Sequence, residues 1–258
     1  VVIVSPCLKE LAPHLEAVFA REIVGADGKK TKLPLVIADR GLSEVSEAAR
    51  LLVDLLGLVG SRCSVEQFRS VATHPLVQRH FHVDDDAIAT WDHLIERTAI
   101  RWGLDARHRL REQFPQAAAE AHTWRAGLER MLLGATLPDG KPQLELGGTV
   151  PLDDVSLEAL EAIGPLVKIY EVVAALDEAR HTPRAVAAWC STIEEALFGL
   201  CGTGSGELAE PLRAVRSLAA AASATPVPFA DVRTILIEEL ESVVGRQPLR
   251  TGAITATS

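Results

Sequence analysis

Four consecutive β-branched residues, Val1-Val2-Ile3-Val4, open the chain and constrain its fold more than any other feature. A run with no polar alternation reads as a strand covered on both faces, the habit of a parallel sheet. Such a strand needs neighbours. Leu33 to Ile37 is a second short apolar run, and Ala253-Ile254-Thr255-Ala256-Thr257 alternates like a third. Almost everything between them repeats at three- and four-residue apolar spacing, the period of helices. The expected fold is therefore mainly α with a small α/β part: short strands at the two ends share one layer, and the helical middle is an excursion from it.

Local signals place the helices. Ser5-Pro6 starts one with Leu8, Leu11, Leu15, Val18 and Phe19 on a single stripe. Ser43 is expected to cap a helix that buries Ala48, Ala49, Leu52, Leu55 and Leu56. Ser64 and Gln67 have the spacing of a capping box for Val65 to Thr73, and Asp84 caps a helix through Ile88, Trp91, Leu94 and Ile95. Ile100 to Asp105 reads as a turn in which Gly103 supplies backbone freedom. Thr123 begins a helix that reaches Gly134, and the Gly- and Pro-rich stretch from Pro138 to Pro151 is a loop. Further helices are expected over 156–179, from Thr182-Pro183 through Phe198, over 207–222 and over 228–244, with a flexible break at Gly202 to Gly206.

At 258 residues the chain is long enough to bury a substantial core, and 48% of it is hydrophobic. No apolar run reaches the roughly 18–20 residues of a membrane span, and the start lacks a basic leader, so a soluble cytoplasmic protein without membrane contact is expected. Cys7, Cys63, Cys190 and Cys201 are scattered without CxxC spacing, which favours buried, reduced thiols over zinc or disulfides. A net charge of -9 is the wrong sign for a surface that grips phosphate everywhere. Any nucleic-acid contact must be local, and the arginines do cluster between Arg97 and Arg130.

Few residues suggest chemistry. Gly25 to Thr31 superficially resembles a phosphate loop, but its glycines stand too close together for that cradle, and a polar connection is expected. His74, His80, His82, Asp84-Asp85-Asp86 and His93 lie close in sequence without ligand spacing, so they read as a solvated helix entrance. No nucleophile sits in a recognisable motif with histidine, and Asp153-Asp154 falls on a loop. Trp102, flanked by Arg101 and Gly103, is either a buried plug with Arg101 paired to Asp105, or a platform for stacking bases or another subunit. On this reading the chain catalyses nothing alone and holds no metal or cofactor.

Two strings carry a resemblance. Ile100-Arg101-Trp102-Gly103-Leu104-Asp105, followed by Thr123-Trp124-Arg125-Ala126-Gly127-Leu128 and Arg130-Met131-Leu132-Leu133-Gly134, is similar to signatures of the RecC (gamma) subunit family of exodeoxyribonuclease V. Val2 to Pro6, Ala17-Val18-Phe19, Ala38-Asp39-Arg40, and Phe68 to Phe81 around Thr73-His74-Pro75 also resemble that family, as does the closing strand; the likeness is weakest between about 140 and 245. The resemblance implies an internal piece of a longer chain, with the fold of a superfamily 1 helicase whose ATPase motifs have decayed. Residues 1–98 would be the start of a 2A-like domain, 99–248 an all-helical 2B-like insertion, and 249–258 the strand returning to 2A. It also implies a scaffold and DNA-channel wall for unwinding and end processing in double-strand break repair. Partners would be RecB-like and RecD-like subunits, which use ATP and magnesium, the rest of the RecC chain, and DNA as a duplex end and 3′ single strand. Arg101, Arg107, Arg109, Arg125 and Arg130 are the candidates for phosphate contact. No residue that reads a recombination hotspot carries over. The rival reading is a module that docks on the motor subunits and never touches DNA, which the negative charge favours.

Overall fold

Residues far apart in the chain build one small sheet. The computed structural model describes residues 2–5, 8–24, 30–32, 35–37, 46–114, 119–136, 148–221, 224–242 and 254–257. Strand β1 (Val2–Val4) leads through α1 (Leu8–Phe19) to an antiparallel pair, β2 (Glu22–Val24) and β3 (Lys30–Lys32), and then to β4 (Leu35–Ile37). The last strand, β7 (Ile254–Thr257), lies between β1 and β4 and runs parallel to both, pairing Ile3 with Ala256 and Val36 with Thr255. The two ends are therefore neighbours in one parallel layer, as the β-branched runs require. Ala12 and Leu15 of α1 pack against Ile3 and Leu35. The expected stripe on α1 is displaced: Leu11 and Val18 are exposed, while Ala12, Leu15 and Phe19 are half-buried. Gly25 to Lys29 and Ser43 lie outside the described residues; Lys30 and Thr31 belong to the β2–β3 pair.

The rest is helical: α2 (Glu47–Leu58), α3 (Val65–Ala72), α4 (Pro75–Phe81), α5 (Asp85–Thr98), α6 (Ala106–Arg111), α7 (Trp124–Thr136), α8 (Ala159–Ala179), α9 (Val186–Cys201), α10 (Ala209–Ala221) and α11 (Phe229–Ser242). Among the described residues none of these is long and apolar enough to cross a membrane. A single apolar cluster runs from Ala48 to Leu240, and it crosses residues 98 and 99 without interruption.

Side-chain caps set several of the helix starts. Ser64 accepts from the Gln67 N–H while the Gln67 side chain accepts from the Ser64 N–H, the reciprocal capping box its spacing predicts. Asp84 accepts from the Ala87 N–H at 2.9 Å. The cap of α2 is Ser46 rather than Ser43: its hydroxyl accepts from Ala49, and Glu47 favours the helix start. Helix α9 begins later than Thr182-Pro183, because Arg184–Ala185 (β5) is extended against Pro226–Val227 (β6). Trp189 secures that junction by donating from its indole to the Val227 carbonyl at 3.0 Å.

Candidate functional site

The turn from Ile100 to Asp105 is a knot of backbone bonds. Ala99, in the left-handed region at φ 56, ends α5 and lets the chain double back. The Gly103 N–H then donates to the Arg62 carbonyl at 2.9 Å, and the Arg101 carbonyl accepts from Val65 at 3.3 Å. On the other side Arg101 donates to His122, while the carbonyls of Gly103 and Leu104 accept from Trp124 and Arg125, each at 2.9 Å. One turn thus ties the segment before α3 to the start of α7. Thr123 opens α7 by accepting from the Ala126 N–H. Trp124 is fully buried, its ring centroid 4.0 Å from that of Phe68, with its indole N–H on the Cys63 carbonyl. Burying a side chain of that size contributes about 2–3 kcal/mol.

Glycine is required where the strings place it. Gly103 has φ +83, and a Cβ there would stand 3.0 Å from Arg109 Cγ and Nε. On α7, a Cβ at Gly127 would overlap the Ile100 side chain, and one at Gly134 would overlap the Leu152 carbonyl oxygen. The resemblance-carrying residues are thus mostly packing residues: Ile100, Leu104, Thr123, Trp124 and Leu128 are buried, and Leu133 is half-buried.

The five candidate arginines separate into three kinds. Arg109 is 4% exposed. Its guanidinium donates to the carbonyls of Ala119, Ala121 and Trp102 at 2.7–2.9 Å and lies 4.6 Å from the Trp102 ring centroid. Burial lowers its pKa from the usual value, with Glu120 opposing. It is a structural brace under the turn, and its burial argues against the phosphate contact expected of it. Arg130 is half-buried and donates to the carbonyls of Val150 and Thr98; Arg125 is exposed but paired with Glu129 at 3.0 Å. Arg101 and Arg107 are the exposed pair. Trp102 is half-buried, and the nearer of two cations beside it is Arg109, with Arg62 the other, rather than an Arg101–Asp105 pair; Asp105 instead caps α6 by accepting from His108 at 2.7 Å.

The histidine and aspartate run takes structural places too. His74 is buried at the start of α4, where its ring accepts from the Leu76 N–H. His82 ends that helix in the left-handed region, and Asp84 is the cap already described. Asp153 and Asp154 offer their carbonyls to Arg97.

Sequence reasoning missed one grouping, because its members are distant in the chain. Cys63 Sγ lies 3.8 Å from His108 Nε2, which lies 3.9 Å from Asp177 Oδ1. The residue types are those of a nucleophilic triad, but both contacts fall on the same His108 nitrogen where a triad uses the two separately; all three are essentially unexposed, and burial, reinforced by Asp177, pushes the thiol up to about 12. A thiol held protonated away from solvent is no nucleophile at neutral pH. Asp177 instead anchors Arg180 at 2.6 Å and approaches His181 at 3.7 Å, and Arg180 also pairs with Glu112. Although burial opposes it, the bonds and charges of Asp177 and Glu112 raise the Arg180 pKa. The grouping clamps α6 to the end of α8.

His108 has a consequence for pH. Burial lowers its pKa below the ordinary 6.5, outweighing Asp177 and Glu112. The unfolded chain therefore takes up a proton at this site that the folded chain refuses, so His108 favours the fold above pH 6.5 and that contribution is lost as pH falls below it. His74, lowered by burial, acts in the same direction. Urea midpoints measured across this range should fall on acidification, and His108→Gln should flatten the slope. A slope unchanged by that replacement would assign the acid sensitivity elsewhere.

Residues 45–243 match the family model described as RecBCD enzyme subunit RecC fourth domain. Relatives carrying the name RecBCD enzyme subunit RecC are similar over much of the chain. That of Mycobacterium tuberculosis (strain ATCC 25618 / H37Rv) is 28% identical over 264 residues, 99% of this chain and 23% of the relative. That of Mycolicibacterium smegmatis is 29% identical over 231 residues, 87% of this chain and 21% of the relative. That of Escherichia coli K12 is 26% identical over 169 residues, 66% and 14% respectively. The chain thus spans less than a quarter of the length of these relatives.

Proposed function

Because this chain belongs to the RecC family, whose fourth-domain model covers most of it, we propose that it is a non-catalytic scaffold and DNA-channel wall in a bacterial, cytoplasmic helicase-nuclease of the RecBCD type. Its partners are RecB-like and RecD-like subunits, which bring ATP and magnesium, and the remainder of a RecC chain; the shared task is unwinding and end processing in recombinational repair. The observation that carries this reading is where the signature strings go: into a braced turn and a glycine-faced helix, packing that suits a rigid wall. The three-stranded layer is the 2A-like part, continued by strands from the rest of the chain. The helical insertion runs over 99–248 in this reading, and one apolar cluster from Ala48 to Leu240 packs it against the helices before it.

DNA contact is assigned to Arg101 and Arg107. Reversing both charges in the assembled complex should weaken binding of a forked duplex about tenfold at low salt and less at high salt, with the salt slope reduced by about 2. The net charge of -9 favours the rival, a docking module without DNA contact. Hydrogen exchange separates the two: partner subunits should protect part of 46–242, and DNA should then add protection around 100–107. Unchanged affinity with no added protection leaves the docking module.

A further inference from the structure

Most arginines of the helical part are already engaged. Arg69 meets Asp92, Arg79 meets Glu207, Arg111 meets Glu178 and Arg216 meets Glu194. Arg62 differs. It is exposed, and its guanidinium lies over the Phe114 ring, 4.4 Å from the centroid and 6.0 Å from that of Trp102. Among the described residues its side chain makes no hydrogen bond or ion pair. Its backbone is fixed where it matters, since the Arg62 carbonyl accepts from Gly103 in the braced turn. Trp102 and Phe114 are both half-buried and meet edge to face at 5.4 Å, and Arg109 backs the Trp102 ring.

We propose that Arg62, held over Phe114 beside Trp102, is a docking point for one nucleotide unit of a single-stranded nucleic acid. Contact with the ring restrains the guanidinium, and because Arg62 is exposed its N–H groups stay open to solvent, so less side-chain freedom is lost when a phosphate contact forms. A carboxylate would satisfy that fork equally well. The half-buried rings favour the nucleotide: it brings a flat base for the exposed part of Trp102 or Phe114 as well as the anion, whereas an acidic side chain brings only the anion. Ordinary sequence reading overlooks the site because Arg62 lies outside the arginine-rich stretch, and only the turn brings it to Trp102.

The proposal rests on the channel-wall reading, and its test keeps the two apart. The full-length chain, assembled with its partner subunits, is irradiated with a forked DNA whose single-stranded tail carries iodouracil. Crosslinks to the 101–114 peptide are expected. Arg62→Gln should weaken tail binding about tenfold at low salt and cut the crosslink, with only a small shift of the unfolding midpoint, because the side chain is exposed and its ring contact is weak. Arg62→Lys should restore binding only in part, since an ammonium cannot present a stacked fork. Crosslinks elsewhere in 46–242 but none here overturn the docking point and leave the wall intact. No crosslink anywhere in 46–242 removes both. Protection of this segment by a partner subunit before DNA is added shows an acidic protein surface in its place and also overturns the proposal.

Discussion

Replacing Asp177 with alanine is expected to cost about 3–5 kcal/mol of stability, the range for removing one member of a buried ion pair. Asp177 is 1% exposed and serves Arg180, His108 and His181 at once. Its loss strands a cation that Glu112 alone must neutralise, at the junction of α6 and α8. Asp177→Asn keeps an acceptor for Arg180 and should cost clearly less. Urea unfolding of the three proteins measures the order; an alanine variant within about 1 kcal/mol of the parent shows that the clamp contributes little.

Gly134→Ala should be nearly as damaging, at about 3 kcal/mol, because the added methyl meets backbone rather than a side chain that could turn away. The obstructing Leu152 carbonyl cannot easily retreat, since the Leu152 N–H is itself bonded to Arg130 at 3.0 Å. Gly127→Ala meets the Ile100 side chain, which has some freedom to yield, and a loss of about 1–2 kcal/mol is expected. Gly164, inside α8 with nothing near its missing Cβ, is the control: alanine there should stabilise by up to about 1 kcal/mol through helix propensity alone. If all three respond alike, close approach is not what demands glycine on α7.

Features encoded by near neighbours were legible. A Ser-x-x-Gln spacing defines a capping box whatever surrounds it, and a β-branched run in a helical chain defines a strand in need of partners. The left-handed Gly103 and the start of α7 at Thr123 also follow from a few adjacent residues. The errors arise where distant contacts override local pattern. Arg107, Arg109 and Arg111 look equivalent on paper, yet the turn at Gly103 folds Arg109 beneath Trp102 while Arg107 stays in solvent. Thr182-Pro183 is a sound helix start, but pairing of β5 with β6 holds the next residues extended.

The candidate site divides along the same line. The strings around Trp102 and Trp124 could be located from sequence, but their use as packing elements could not, because the atoms that forbid a side chain at Gly127 and Gly134 come from Ile100 and Leu152. Cys63, His108 and Asp177 share no spacing rule at all; three separate segments converge on them.

The position of β7 between β1 and β4 sets an order of events on the ribosome. The flanking strands emerge first, yet neither can be zipped to its mate until residues 38–253 have been made. The helices in between rely on nearer contacts and can settle during that delay, so the late strand acts as a latch inserted into a slot that must stay open. Until it arrives, two short edges stand bare, a window in which a holding chaperone or a neighbouring nascent chain has its best chance to engage.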